Sequence, residues 1–177
     1  MEGEFEHLFT SLFKHPNDYM NIINVLSEKK TGMTRNELIK TTGLTGSGAF
    51  SKKLDDLENS GFIRGYVPFQ RKKKDMLYQI IDPFILFYYH FLKDKSTDAH
   101  FWTNQLKTVT RNVWNGLAFE RVCLWHLEQM KKALGISGVL CDIAAWSCKA
   151  DPDNGIAGSQ IDLLIVRSDN VINIMEM

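Results

Sequence analysis

Residues 158–177 read GSQIDLLIVRSDNVINIMEM. Two apolar runs, IDLLIV and VINIM, flank the polar turn RSDN. β-branched and aliphatic runs bounded by turn-forming residues predict a β-hairpin. With a turn of three residues at 168–170, Arg167 pairs with Val171, Leu164 faces Ile174 and Val166 faces Ile172. Asp162 then falls opposite Glu176, and these two acids share one face with Leu164, Val166, Ile172 and Ile174. Adjacent ionised carboxylates repel unless a cation neutralises them, so the pair is a candidate metal site. A slip of one residue in the turn would separate the two acids.

Upstream of the hairpin, GVLCDIAAWSC reads as strand-like and KADPDNGIAG as a turn. VWNGLAFERVCLWHLEQMKKALGI reads as a long helix, broken or begun near Gly116, with Glu120 among the apolar Leu117, Val122, Leu124 and Leu127. Helix followed by three strands predicts an α/β layer with helices on a sheet.

The first half has a different rhythm. Tyr19, Ile22, Ile23 and Leu26 recur at helical spacing up to Gly32. Thr34 and Glu37 have capping-box spacing for a second helix ending at Gly43, with Met33 and Leu38 as its hydrophobic staple. A third helix carries Phe50, Leu54 and Leu57 on one stripe and ends at Gly61. FIRGYVPF and MLYQII then read as strands joined by QRKKKD. Asp82 and Pro83 open a further helix, FILFYYHFLKD, apolar nearly all round and so expected to be buried between domains or against a partner. The polar KSTDAH marks the expected boundary between domains 1–95 and 96–177.

Three short helices followed by a basic hairpin resemble a winged helix-turn-helix over residues 17–81. That resemblance implies double-stranded DNA as partner. The third helix would enter the major groove by its start, with Ser47, Ser51, Lys52 and Lys53. The hairpin tip, Arg71, Lys72, Lys73 and Lys74, would sit over phosphates. A winged helix also serves as a protein-interaction module, and a basic run also serves as a solvated turn. GLTGSGAFSKK is no phosphate loop. Ala49 stands where the motif needs its lysine, and a helix rather than a strand precedes it. No nucleotide site is expected in this chain.

Composition narrows the classes. Of 177 residues 44% are hydrophobic, which supports a packed core. Lys+Arg and Asp+Glu balance at 21 each, so net charge selects no partner. Three cysteines without a CxxC pair predict a reducing compartment and buried free thiols, although Cys123 and His126 lie one helical turn apart. The acidic start is not a secretory signal, and FILFYYHFL is too short to span a bilayer. A cytoplasmic protein is expected.

An acid in one strand, an acid in the next and a glutamate on a preceding helix resemble the PD-(D/E)XK nuclease fold. That resemblance implies Mg²⁺ held by Asp162, Glu176 and Glu120 as catalytic ligands. It also implies a lysine two positions after Glu176, beyond Met177. More narrowly, YQIIDPFILFYYHF, WNGLAFERVCLWH, ALGI and the final hairpin resemble the C-terminal half of the archaeal/bacterial P-loop ATPase family. The fold expected is therefore α/β (α+β): a winged helix-turn-helix domain, then a truncated restriction-endonuclease-like domain. The resemblance implies an ATPase domain upstream in the same polypeptide and a Mg²⁺-dependent nuclease in the full-length form. Little or no cleavage is expected of this chain alone. A homodimer is compatible with an apolar surface left open where further elements would dock. A regulatory or protein-interaction module without nucleic acid is the remaining alternative.

Overall fold

The computed structural model describes residues 2–93, 100–104, 108–148, 150–155 and 157–177. The fold is mixed helix and sheet, in two compact units. One comprises residues 1–65 with 77–115, the other residues 66–76 with 116–177.

The first unit begins with helix α1 (Glu2–Leu12) and α2 (Pro16–Ser27). Phe5 and Phe9 on α1 and Phe13 just beyond it, each four residues from the last, form one stripe and are all buried. The proline at the first turn of α2 needs no backbone N–H there, and Tyr19, Ile22, Ile23, Val25 and Leu26 turn inward. Strand β1 (Met33–Thr34) leads into α3 (Arg35–Thr42). Thr34 caps α3 as expected: its backbone N–H donates to Glu37 Oε2 at 2.8 Å, and its Oγ1 accepts from the Glu37 N–H at 3.2 Å. Gly43 ends the helix in the left-handed region. Helix α4 (Gly48–Asn59) buries Phe50, Leu54 and Leu57.

Strand β2 (Ile63–Tyr66) and strand β3 (Leu77–Ile80) complete a sheet of order β1-β3-β2, with Met33 opposite Tyr78 and Thr34 opposite Leu77. Gly32 is required at the entry to this sheet. Its φ is +83°, and a Cβ there would lie 2.4 Å from the Tyr78 carbonyl oxygen. The buried Gln79 is satisfied at both ends of its amide, donating to the Lys30 carbonyl at 2.7 Å and accepting from Arg64 Nε at 2.9 Å.

Helix α5 (Pro83–Phe87) starts where expected, its Ile85 N–H donating to Asp82 Oδ1 at 2.7 Å. It continues as a π-helical segment, Tyr88–Leu92, rather than as a uniform α-helix. Much of its apolar surface is covered from within the unit, although Phe84 is exposed. Phe5 stacks on Tyr88 with ring centroids 3.9 Å apart and meets Tyr89 edge-on at 5.6 Å. Tyr88 and Tyr89 thus pack on α1, while Phe87 and Phe91 both meet Trp102 and Trp114. The expected boundary KSTDAH lies outside the described residues except for His100. Helix α6 (Phe101–Asn104) follows, and α7 (Val109–Trp125) runs on through Gly116.

The break expected near Gly116 occurs instead at His126, whose N–H is shared between the Val122 and Cys123 carbonyls. Helix α8 (Leu127–Ala133) follows it. In the second unit β4 (Cys141–Cys148), β5 (Ser159–Arg167) and β6 (Ile172–Met175) form an antiparallel sheet in chain order. Leu163, Leu164 and Ile165 at the centre of β5 are buried, as are Leu117 and Leu124 on α7 and Ile136. The three thiols are free but half-buried, not enclosed. Among the described residues, no helix is long and apolar enough to cross a membrane.

Candidate functional site

The β5–β6 register is the one that the turn length predicts: Leu164 faces Ile174, Val166 faces Ile172, and the Arg167 N–H donates to the Val171 carbonyl at 2.9 Å. The paired register ends at Leu163 and Met175, one residue short of Asp162 and Glu176. Asp162 already has partners. One carboxylate oxygen accepts from Gln160 Nε2 at 2.8 Å and the other from the Met177 N–H at 3.2 Å. Glu176 is exposed. Glu120 is 6% exposed and takes a charge-assisted bond of 2.5 Å from Arg121, itself 1% exposed. The structure therefore brings Asp162 to the end of β6 and ties Glu120 to a buried guanidinium. Among the described residues, no three His, Cys, Asp or Glu side chains gather as a metal-holding group, so Cys123 and His126 gain no further ligands. Two carboxylates at a sheet end suit a hard, oxygen-seeking cation such as Mg²⁺. Among the described residues, no third acid joins them.

The residues expected to contact DNA divide by their commitments. Residues 45–49, at and before the first turn of α4, are exposed, Ser47 among them. Lys52 is exposed and 3.7 Å from Asp56 on its own helix, a pairing of small worth in water. Lys53 is mostly buried, pairs with Asp18 at 3.5 Å and lies over the Tyr19 ring. It fastens α4 to α2. Ser51 Oγ accepts from Arg35 Nε at 3.1 Å.

Arg35 is the residue that sequence reading missed. Its second nitrogen donates to the carbonyls of Gly46 and Ser47, each at 3.2 Å, and its guanidinium lies over Phe50. It thereby sets the turn that presents the start of α4. Its position as the first residue of α3 was the available signal. The nearby Tyr19 hydroxyl donates to Asp56 Oδ2 at 2.8 Å. Burial, then Asp56, pushes its pKa to about 12.

Arg71, Lys72, Lys73 and Lys74 are all exposed in the loop between β2 and β3. Among the described residues, none of their side chains pairs with a carboxylate. Asp75 is used locally, its Oδ2 accepting from the Lys72 N–H at 3.2 Å. The loop begins with a tight turn in which the Arg71 N–H donates to the Pro68 carbonyl at 2.9 Å. Gln70, third in that turn, has φ +63°. A non-glycine residue there costs on the order of 1 kcal/mol and needs support from its surroundings. Part of that support is the Phe69 N–H, which donates to the Ala145 carbonyl at 2.9 Å. Ala145 lies at the register shift between Ala144 and Trp146 in β4, where its carbonyl stands outside the ladder to β5.

Comparison with models of protein families, with curated proteins and with solved structures finds no match.

Proposed function

We propose that this protein binds double-stranded DNA in the manner of a winged helix, with the basic β2–β3 loop holding phosphates and the start of α4 reading the groove. The observation that carries the reading is the run of four exposed cations, Arg71 to Lys74, free of carboxylate partners among the described residues. Unpaired surface cations bind phosphates by releasing condensed counterions, which is the main source of affinity for a nucleic-acid backbone. The element order supports it: α2, β1, α3, α4, β2 and β3, with an exposed start to α4. Ser47, Ser51 and Lys52 would face base edges and phosphates in the groove, while Arg35 and Lys53 hold the helix in place. In the family reading, the surface serves a P-loop ATPase of the archaeal/bacterial family.

Fluorescence anisotropy with a labelled duplex across a salt series tests this. The affinity is expected to fall linearly with salt on logarithmic axes. Changing Arg71, Lys72, Lys73 and Lys74 together to Ala should flatten that slope by roughly 3 to 4. An unchanged slope removes the loop from the interface, and absence of binding at low salt overturns the reading.

The pairing of Asp162 with the end of β6 supports a second reading, in which Asp162 and Glu176 present a Mg²⁺ site. Calorimetric titration with Mg²⁺ should show binding that Asp162→Asn abolishes.

A further inference from the structure

Strand β6 pairs with β5 on one side and, among the described residues, with no strand on the other. The whole of it lies in the second unit. Open edges are ordinarily blunted by a charge, a proline or a bulge. Residues 171–175, VINIM, contain no charge and no proline, and the β5–β6 register runs without a shift. The ladder fixes which groups stand on the open edge. The Arg167 N–H donates to the Val171 carbonyl, so Val171 bonds toward β5. By the alternation of an antiparallel pair, Asn173 and Met175 bond toward β5 as well, and the backbone groups of Ile172 and Ile174 point outward. The side chains of the same two isoleucines are 43% and 62% exposed. Between them, Asn173 keeps its side-chain Oδ1 buried with no hydrogen-bond donor among the described residues, a state that folded proteins usually avoid.

The occupant that fits this edge is the same strand of a second copy. Two strands that both bond through Ile172 and Ile174 can pair antiparallel about a two-fold axis at Ile172, at Asn173 or at Ile174. An axis at Ile172 sets Ile174 across from Asn170 of the second copy, and one at Ile174 sets Ile172 across from Glu176 of the second copy. Only an axis at Asn173 sets each exposed isoleucine across from an isoleucine, Ile172 against Ile174 and Ile174 against Ile172. Asn173 then meets Asn173 of the second copy in a non-hydrogen-bonded pair, with Cα atoms about 4.5 Å apart. That brings an amide with two N–H donors to the strand position whose acceptor has none. No charge enters the paired segment. We propose that two copies of this chain pair through β6 about a two-fold axis at Asn173, joining two three-stranded sheets into one of six strands. The contact is short and falls below the roughly 1,200 Å² of stable complexes, so the association is weak, with a Kd of roughly 10–100 µM. It does not rest on the DNA-binding reading above.

Sedimentation equilibrium of the whole chain from about 1 to about 300 µM tests this: the mass should rise from that of one chain toward that of two. Ile174→Lys sets an ammonium against Ile172 of the second copy, twice in each dimer, and should weaken association at least about tenfold. Its circular dichroism at about 1 µM, where the chain is monomeric, should match that of the unsubstituted protein. Asn173→Cys reads the position of the axis without relying on a loss. Mild oxidation should link it into a disulfide-bonded dimer, because the separation of that pair suits the bond. Ile172→Cys and Ile174→Cys should link far less, and the unsubstituted chain with its three free cysteines sets the background. A mass of one chain at every concentration overturns the proposal. So does a dimer that Ile174→Lys leaves intact, since its interface then lies elsewhere. Linkage at 172 or 174 in place of 173 overturns the axis at Asn173.

Discussion

Sheet β1-β3-β2 is built from strands of two and four residues, whereas β4 and β5 are eight and nine residues long. The shorter strands bury their key apolar side chains: Met33, Ile63 and Ile80 are all at or below 9% exposure. The longer sheet does so only at its centre. Leu163 and Ile165 are fully buried, yet Ile172 and Ile174 on the outer strand are 43% and 62% exposed. Strand length and hydrophobicity therefore do not decide burial. What lies over the strand decides it, and in the first unit three amphipathic helices and α1 supply that cover. Among the described residues, the outer strand β6 has a neighbour on one side only. Its exposed backbone edge and isoleucines are the features that commonly invite pairing with another chain.

The sharpest way to challenge the comparison is to delete equal volumes from each core. Leu57→Ala in the first unit and Leu163→Ala in the second remove side chains that are both fully buried. Each should cost about 2–5 kcal/mol in urea unfolding followed by circular dichroism. A cost below about 1 kcal/mol for Leu163→Ala would show that the second unit has no closed core at all.

Glu120 tests what a buried acid does there. Glu120→Ala leaves Arg121 without this partner, and should destabilise by about 3 kcal/mol. Unchanged unfolding would show that the Glu120–Arg121 pair holds nothing together. Those two outcomes separate an acid retained for packing from one free for chemistry.

A smaller effect belongs to the cap of α3. The Thr34 N–H, followed by the Lys29 ammonium, lowers the Glu37 pKa from 4.5 to about 2. A depressed carboxylate contributes stability above its unfolded pKa and loses it as pH falls through the folded value. The contribution is thus complete above pH 4.5 and disappears toward pH 2. Both Glu37 and Lys29 are nearly half exposed, so solvent screening keeps the contribution under about 1 kcal/mol. Glu37→Gln should flatten the acid-unfolding curve between those pH values, read by circular dichroism. A curve as steep as that of the unsubstituted protein would place the acid sensitivity elsewhere.

The smallest effect is expected at the outer strand. Ile174→Ser changes a side chain that gains little from folding, so stability should shift by no more than about 0.5 kcal/mol. A loss near that of Leu163→Ala would mean that Ile174 is covered in solution, and would end the contrast between the sheets.

Much of the fold was legible where neighbours in sequence are also neighbours in space. The Thr34–Glu37 cap, the Asp82 cap, the stripe of Phe50, Leu54 and Leu57, and the hairpin register all rest on contacts within a few turns or across one tight loop. The helix break was misplaced because glycine is only weakly unfavourable in a helix interior, and α7 passes through Gly116. Helix α1 is less legible although Phe5, Phe9 and Phe13 have helical spacing, because a stripe of three aromatics is short and its burial depends on distant partners such as Phe62 and Tyr88.

What the sequence determined by itself was local: caps, turns, the face on which each side chain lies, and the four cations of the β2–β3 loop. Only the tertiary structure decided which of those groups were already engaged. Lys53 looks like its neighbour Lys52 in sequence, but folding sets it against Asp18. Glu120 looks like a free acid, but folding buries it against Arg121. Phe69 meets β4 through the Ala145 carbonyl, more than seventy positions along the chain. No periodicity reports such a meeting, because it depends on one hydrogen bond at a strand irregularity that arises only when the sheet has formed.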